Sequence, residues 1–112
     1  MNTFSGRRIL LVGATGVLGR GYAKAISELD VELVIADVEQ SDVLQYAQEL
    51  GVLGVEIDIS SENSVIACVK YVEKKLGGLD SVINNAAATG EGLMKAGSVF
   101  EDFEEYPLSV WQ

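Results

Sequence analysis

The chain has 112 residues, of which 48% are hydrophobic and 22% charged, a balance typical of one globular domain rather than of a disordered segment. Its 17 acidic residues against 8 basic ones give a net charge of −9, which argues against nucleic acid and anionic membranes as partners. The absence of histidine excludes His-based metal sites and His-dependent triads. The single cysteine, Cys68, excludes an internal disulfide, and a reducing, cytoplasmic location is expected.

Hydrophobic segments of two kinds alternate along the chain. Short aliphatic runs predict strands over residues 9–12, 31–36, 52–57 and 79–83. Apolar residues at helical spacing predict helices over residues 16–29, from 41 or 42 to about 50, and from 60 or 61 to 76. The candidate N-caps of the second and third helices are Ser41 or Asp42 and Ser60 or Ser61, and the candidate stops are Gly51 and Gly77-Gly78. The apolar face of the first helix is predicted to contain Val17, Leu18, Ala23, Ile26 and Leu29. The alternation β-α-β-α-β-α-β predicts a parallel sheet with right-handed crossovers.

The segment between the first strand and the first helix has the pattern G-x-x-G-x-x-G. Glycine suits this place because the chain turns sharply, a pyrophosphate approaches the backbone, and the helix packs closely on the strand. The free N–H groups at the helix start then bind the phosphates, and the helix dipole adds to the attraction. The pattern predicts a dinucleotide phosphate site that contains Gly13, Ala14, Thr15, Gly16, Leu18 and Gly19.

Asp37 follows the second predicted strand and lies 18 residues after Gly19. A carboxylate here accepts hydrogen bonds from the adenosine ribose hydroxyls and repels a 2′-phosphate, so it selects NAD over NADP. The alternative, a turn aspartate after a strand, is common. The position within the dinucleotide fingerprint favours the cofactor role. Residues 14–18 include no basic side chain, in keeping with NAD, although Arg20 lies just beyond them.

Two further segments make the chain resemble the short-chain dehydrogenase/reductase family. Asp58-Ile59-Ser60, after the third strand, is similar to the family's D-[VIL]-[ST] segment, and residues 84–87, N-N-A-A, are similar to its N-N-A-G. The resemblance covers essentially the whole chain. It implies that Asp58 and Ile59 contact adenine, and that the adenine ribose lies beside Asn85, Ala86 and Ala87.

Some segments depart from the family pattern or point to a branch of it. The glycine spacing is that of the extended branch, whereas residues 84–87 favour the commoner branch. Residues 103–111 resemble the entry to the family's next long helix. Within them, residues 104–108 resemble members placed near surface-polysaccharide or flagellin sugar modification.

The resemblance also identifies the groups that this chain lacks. Hydride transfer in the family needs a tyrosine, a lysine four residues later and a serine on the preceding strand, all downstream of Gln112. Tyr71 and Lys75 form a literal Y-x-x-x-K, but they lie between Asp58 and Asn84, where the family has no catalytic residue. We therefore interpret Tyr71 as a helix-surface residue and Cys68, on the same helix, as a core residue. No catalytic residue and no metal ligand is assigned.

The fold expected is a three-layer α/β/α Rossmann-type parallel sheet with strand order 3-2-1-4, truncated after the fourth strand. Residues 1–112 would be the N-terminal part of an NAD(P)-binding domain, and the open strand edge predicts self-association or a longer natural chain.

The expected function is the cofactor-binding part of an NAD-dependent oxidoreductase, inactive alone, that moves a hydride between nicotinamide and a small alcohol or carbonyl substrate. Such a substrate would bind only if a longer chain exists. The alternative is a non-catalytic dinucleotide-binding module or a degenerate remnant.

Overall fold

A computed structural model describes residues 5–86, in which four strands alternate with three helices. The strands β1 to β4 are Arg8–Val12, Glu32–Asp37, Leu53–Glu56 and Ser81–Asn84. The helices α1 to α3 are Val17–Ser27, Val43–Leu50 and Glu62–Leu76. Each of these elements was predicted from the sequence, and the bounds differ only at their ends. The predicted features of residues 87–112 lie outside the described residues.

The four strands form one parallel sheet in the order β3-β2-β1-β4, as predicted. β1 lies between β2 and β4, so that Leu10 is opposite Val34 on one side and Val82 on the other. Because all strands run in the same direction, the segments that follow them meet at a single edge of the sheet.

The sheet has helices on both faces, because successive side chains of a strand point to opposite sides. One face of β1 and β2 packs against α1 and α2, in a cluster that contains Ile9, Leu11, Ala23, Leu33, Ile35, Val43 and Ala47. The other face packs against α3, in a cluster that contains Leu10, Val12, Val34, Ala36, Val65, Cys68, Val69 and Val72. The three-layer architecture is therefore confirmed, and residues 9–12 of β1 and 33–36 of β2 are all buried.

The predicted apolar face of α1 is wrong at three positions. Val17, Leu18 and Leu29 are 93%, 63% and 45% exposed, while Ala23 is buried. α1 instead approaches the sheet through small residues: a Cβ on Gly19 would lie 2.0 Å from the carbonyl oxygen of Gly13. The close approach turns the larger side chains of the first turn away from the core.

The start of α3 and the last residues of α2 and α3 follow the predicted capping signals. Ser61 accepts a hydrogen bond from the Ser64 amide at 3.2 Å at the start of α3. Gly51 and Gly77 end α2 and α3 in the left-handed conformation, at φ values of 74° and 80°. Glycine adopts this conformation without the steric cost that a Cβ brings.

An ion pair joins three elements at the amino end of the strands. The Arg8 guanidinium donates to both carboxylate oxygens of Asp80, at 3.0 and 3.1 Å, and to the carbonyl oxygen of Gly77 at 2.9 Å. The backbone N–H of Arg8 also donates to Asp80, at 2.9 Å. Hydrogen bonds from Arg8 lower the pKa of Asp80 to about 2. We call this group the Arg8–Asp80 clamp; it ties the start of β1 to the end of α3 and the approach to β4.

Cys68 lies in the core on α3, as predicted, and burial raises the pKa of its thiol to about 11. The thiol is therefore uncharged at neutral pH, and Cys68 is a small apolar residue of the core. Within residues 5–86, no helix combines the length and the hydropathy that crossing a bilayer requires.

Candidate functional site

A cavity of about 710 Å³ opens at the carboxyl end of the strands. Its lining comes from the segments that follow all four strands, which lie far apart in the chain. Ligands of open parallel sheets bind at this edge, in the crevice beyond the strand ends. The described residues that line the cavity are Val12, Gly13, Thr15, Gly16, Val17, Leu18, Asp37, Val38, Ile57, Asp58, Ile59, Ser60, Asn85 and Ala86.

Most of the binding residues predicted from the sequence meet at this cavity. The exceptions are Ala14 and Gly19, which are buried beneath the loop, and Ala87, which lies outside the described residues. The cavity also contains five residues that were not predicted: Val12, Val17, Val38, Ile57 and Ser60. Each is next to a predicted residue, so adjacency to the motifs was the only signal that pointed to them.

The three glycines of the loop occupy three different environments. Gly13 has a φ of 82°, and a Cβ there would lie 2.5 Å from the amide nitrogen of Ala86. A Cβ on Gly19 would lie 2.0 Å from the carbonyl oxygen of Gly13. A Cβ on Gly16, in contrast, would have no atom of the described residues within 4 Å. Gly13 and Gly19 therefore allow the backbone to close up, and Gly16 leaves the cavity side of the loop open.

The start of α1 forms one wall of the cavity. Gly16 is its N-cap without a side-chain hydrogen bond, and the first turn contains no acidic residue. The partial positive charge of a helix start is therefore not offset by a side chain of that turn. Such a helix start beside a glycine loop is suited to an anionic group such as a phosphate.

Asp37, the last residue of β2, is half-buried at the cavity. Its Oδ2 accepts hydrogen bonds from the Thr15 amide at 2.9 Å and from the Thr15 hydroxyl at 2.6 Å. Its Oδ1 accepts from the Val38 amide at 2.8 Å. All three donors are neutral, so they orient the carboxylate without cancelling its charge.

Thr15 is itself held from the side away from Asp37. The Nε of Arg20 donates to the carbonyl oxygen of Thr15 at 3.1 Å, and the same guanidinium pairs with Asp42. Its carbon centre lies 4.5 Å from the centroid of the Tyr46 ring, and the Tyr46 hydroxyl donates to the Arg20 carbonyl oxygen at 3.0 Å. The hydrogen bond between the two charged groups raises the pKa of Arg20 and lowers that of Asp42. We call these residues the Arg20 cluster.

The Arg20 cluster was not predicted as a unit. The sequence suggested Asp42 as a helix cap, and Asp42 is indeed the N-cap of α2, but its side chain makes no capping hydrogen bond. Its carboxylate pairs with Arg20, which lies 22 residues earlier. No local spacing signals a contact between two helices on the same face of a sheet.

Asp58 orders its own loop at the end of β3. Its Oδ1 accepts from the amide of Ser60 at 3.0 Å and from the hydroxyl of Ser60 at 2.6 Å, and these hydrogen bonds lower the pKa of Asp58. Its backbone N–H donates to the Ser64 hydroxyl at 2.9 Å. The loop therefore presents Ile59 and the Asp58 backbone to the cavity in a fixed shape.

The segment after β4 forms the floor of the cavity. The Asn85 amide donates to the carbonyl oxygen of Val12 at 2.8 Å, which extends the pairing of β4 with β1. The Asn84 side-chain oxygen accepts from the Ala86 amide at 3.0 Å. These contacts bring Asn85 and Ala86 against Gly13, across the floor of the cavity.

Tyr71 and Lys75 do not contribute to this cavity. Tyr71 is half-buried and packs against the core cluster on the α3 side, deeper than the surface position that we predicted. The Nζ of Lys75 lies 5.8 Å from the centroid of the Tyr71 ring, so the ammonium group sits over the ring. This pair is a contact between neighbouring turns of α3.

Comparison with protein families identifies a match over almost the whole chain. The family described as short chain dehydrogenase matches residues 7–111. An uncharacterised short-chain type dehydrogenase/reductase of Sinorhizobium fredii is 32% identical over 101 residues, which cover 88% of this chain and 18% of the relative. Galactitol 2-dehydrogenase of Agrobacterium fabrum is 31% identical over 80 residues, which cover 70% of this chain and 31% of the enzyme.

Solved structures show the same likeness. A short chain dehydrogenase from Mycobacterium smegmatis superposes with a TM-score of 0.72 at 25% identity, over 80% of this chain and 40% of that protein. A short chain dehydrogenase/reductase from Burkholderia phymatum, solved in complex with NAD, gives a TM-score of 0.67 at 26% identity, over 73% of this chain and 31% of that protein. The chain thus spans less than half the length of these relatives.

Proposed function

Because this chain belongs to the short-chain dehydrogenase family, we propose that its cavity binds NAD and that it is the cofactor-binding part of an oxidoreductase. The observation that carries the proposal is the arrangement of Asp37, which lines the cavity and is fixed there by Thr15, the residue before the N-cap of α1. A carboxylate for the ribose thereby lies close to a helix start for the phosphates. The likeness to a structure that contains NAD supports the same cofactor.

The cavity fits a dinucleotide in size and in chemistry. Its volume of about 710 Å³ lies within the range of about 300–1,000 Å³ that is usual for small-molecule and cofactor sites. The pyrophosphate would lie over Gly16 and the start of α1, where no Cβ stands in the way. The adenine would lie between the loop at Asp58 and Ile59 and the segment at Asn85 and Ala86.

Asp37 is proposed to select NAD over NADP. Its carboxylate is held at the cavity by the amides of Thr15 and Val38, where it would accept hydrogen bonds from the ribose hydroxyls. A 2′-phosphate in the same place would meet a fixed negative charge. The discrimination therefore depends on Asp37 keeping this orientation.

The described residues hold and orient the cofactor, and they do not move a proton. The cavity lining within residues 5–86 includes no tyrosine and no lysine. Bound NAD would supply a nicotinamide ring that accepts or gives a hydride. We propose that substrate binding and proton transfer depend on residues beyond this part of the chain, with a small alcohol or carbonyl compound as substrate. The relative that oxidises galactitol supports this class of substrate.

A second candidate is a non-catalytic dinucleotide-binding module. It is favoured by the composition of the cavity, since the described lining residues include the cofactor contacts but no tyrosine or lysine for proton transfer. The intact mass of the natural gene product separates the two candidates. A mass well above that of 112 residues favours the enzyme, and a mass equal to it favours the module.

The first test is thermal unfolding of the chain at increasing NAD concentration. Binding to the folded state alone stabilises it by RT ln(1 + [L]/Kd), so Tm should rise steadily with NAD and much less with NADP. ADP-ribose, which lacks nicotinamide, should raise Tm almost as far as NAD, because the described contacts involve the ADP-ribose half. No rise in Tm at millimolar NAD would contradict the proposal.

Three further expectations belong to the same proposal. Residues 1–112 form the N-terminal part of an NAD(P)-binding domain, the protein works in the cytoplasm, and it associates with itself. The β4 strand supports self-association, because Val82 and Ile83 are 38% and 36% exposed and β4 pairs only with β1 among the described strands. Exposed strand edges with apolar side chains are prone to pair with other chains.

A further inference from the structure

We propose that Arg20 is a positioning residue that sets the preference of the cavity for a ribose with a free 2′-hydroxyl. It acts through Thr15 on Asp37, without touching the nucleotide. The inference rests on the proposed function, because it concerns how that same cavity distinguishes NAD from NADP.

The first step is that Arg20 is held in one place by three different contacts. Its guanidinium pairs with Asp42, lies over the Tyr46 ring at 4.5 Å, and donates through Nε to the Thr15 carbonyl at 3.1 Å. The planar, forked guanidinium is suited to making such contacts together, whereas a lysine ammonium is not. Arg20 is absent from the cavity lining, so these contacts lie behind the loop.

The second step is that Thr15 transmits this position to Asp37. Thr15 receives the Arg20 hydrogen bond at its carbonyl oxygen and gives two of its own, from its amide and its hydroxyl, to Oδ2 of Asp37. One residue thus connects a cation behind the loop with the carboxylate in front of it. Without Arg20, the peptide between Thr15 and Gly16 loses a partner that fixes its plane, and Thr15, whose own amide and hydroxyl bind Asp37, is held less firmly.

The third step is that selectivity needs a carboxylate that cannot turn away. A rigid Asp37 accepts hydrogen bonds from ribose hydroxyls and repels a phosphate in their place. A mobile Asp37 can turn towards solvent. It then binds the ribose hydroxyls less strongly, and it also repels a 2′-phosphate less strongly. Loosening Thr15 should therefore weaken NAD binding and lower the ratio of Kd for NADP to Kd for NAD.

The experiment measures both dissociation constants by calorimetry for the wild-type chain and for Arg20→Lys. This substitution keeps the charge and removes the guanidinium fork, so a purely electrostatic role of Arg20 would leave the ratio unchanged. We expect the ratio to fall about fivefold, since the affected hydrogen bonds act on a charged group. Thr15→Val, which removes the hydroxyl donor to Asp37 directly, should lower the ratio at least as far.

The matched control is Arg8→Lys, the same substitution in the Arg8–Asp80 clamp at the other end of the sheet. It should lower Tm and leave the ratio of the two dissociation constants within about twofold of the wild type. Asp42→Asn is a second test variant, because it leaves Arg20 in place and removes its charged anchor. It should shift the ratio in the same direction as Arg20→Lys, by less.

A readout without nucleotide completes the test. Hydrogen exchange of the Thr15 amide in the unliganded chain should accelerate in Arg20→Lys and not in Arg8→Lys. A folded Arg20→Lys chain with the wild-type ratio and unchanged exchange would overturn the inference while leaving the proposed function intact. A wild-type chain that binds neither NAD nor NADP would overturn the proposed function, and the selectivity proposal with it.

Discussion

The two ends of the sheet hold an aspartate in different ways. At the amino end, Asp80 meets the guanidinium of Arg8, a charge of opposite sign. At the carboxyl end, Asp37 meets the amide and hydroxyl of Thr15 and the amide of Val38, all of them neutral. The comparison teaches that the cation beside Asp80 uses that carboxylate to hold the fold together. A carboxylate oriented by neutral donors keeps its charge for a ligand.

The glycines at the two ends differ in the same way. At the amino end, a Cβ on Gly78 would lie 2.4 Å from the Arg8 guanidinium, so this glycine makes room for the clamp. At the carboxyl end, Gly13 and Gly19 make room for backbone, whereas among residues 5–86 no atom lies within 4 Å of the Cβ position of Gly16. Because Gly16 also lines the cavity, the open space beside it is where we expect a ligand to lie.

The largest effect should come from Gly19→Val. The added Cβ would meet the carbonyl oxygen of Gly13 at 2.0 Å, a backbone atom that cannot move without displacing α1 from β1. We expect a loss of about 3 kcal/mol or more in the free energy of unfolding, measured by urea denaturation.

Gly16→Ala is the control for that prediction. Its φ of −72° suits alanine and its Cβ meets nothing within 4 Å, so stability should stay close to wild type while NAD affinity falls. Equal loss of stability in both variants would break the distinction between glycines that serve packing and a glycine that faces the ligand.

Asp37→Asn and Asp80→Asn test the contrast between the two carboxylates directly. Asp37→Asn should weaken NAD binding about tenfold, because hydrogen bonds to a charged group contribute about 1.5–3 kcal/mol each and an amide replaces one acceptor oxygen by a donor. Asp80→Asn should leave the Kd for NAD unchanged and lower Tm. If Asp80→Asn weakened NAD binding as much as Asp37→Asn, the two ends would not be functionally distinct.

The smallest effect is the pH dependence of the Arg8–Asp80 clamp. The pKa of Asp80 is lowered to about 2 in the folded chain, against about 3.9 in an unfolded one. The stabilisation is therefore present above about pH 4 and is lost as pH falls towards 2. The difference in Tm between wild type and Asp80→Asn should be constant above about pH 5 and shrink below pH 4. A difference that grows on acidification would contradict the assignment of the clamp.

Much of the fold could be predicted because its signals are local. Aliphatic runs in 9–12 and 31–36 alternate with helical spacing, and β1 and β2 are found almost at those bounds. The error in α1 has a physical cause. Val17 and Leu18 are apolar and helically spaced, yet they line the cavity, and periodicity does not distinguish a side chain that faces a ligand from one that faces the core.

The candidate site was predictable where it follows a contiguous motif and not where it depends on contacts across the fold. Residues 13–19 and Asp37 could be placed because a phosphate loop and a ribose carboxylate have a recognisable spacing. The contacts of Arg20 with Asp42 and Tyr46 join two helices, and no short-range pattern encodes them. The hydrogen bonds that Asp58 receives from Ser60 were missed for another reason: the resemblance assigned Asp58 to adenine alone.

The pairing of β1 with β4 has a consequence for biosynthesis. β1 is made first, but its neighbour on one side is separated from it by the whole β2-to-α3 segment. On the ribosome, the edge of β1 that pairs with β4 stays unpaired until residues 81–84 have emerged. The backbone of Ala86 can contact Gly13 only after that. A nascent chain shorter than this has no floor to its cavity, so cofactor capture can begin only once translation has passed β4.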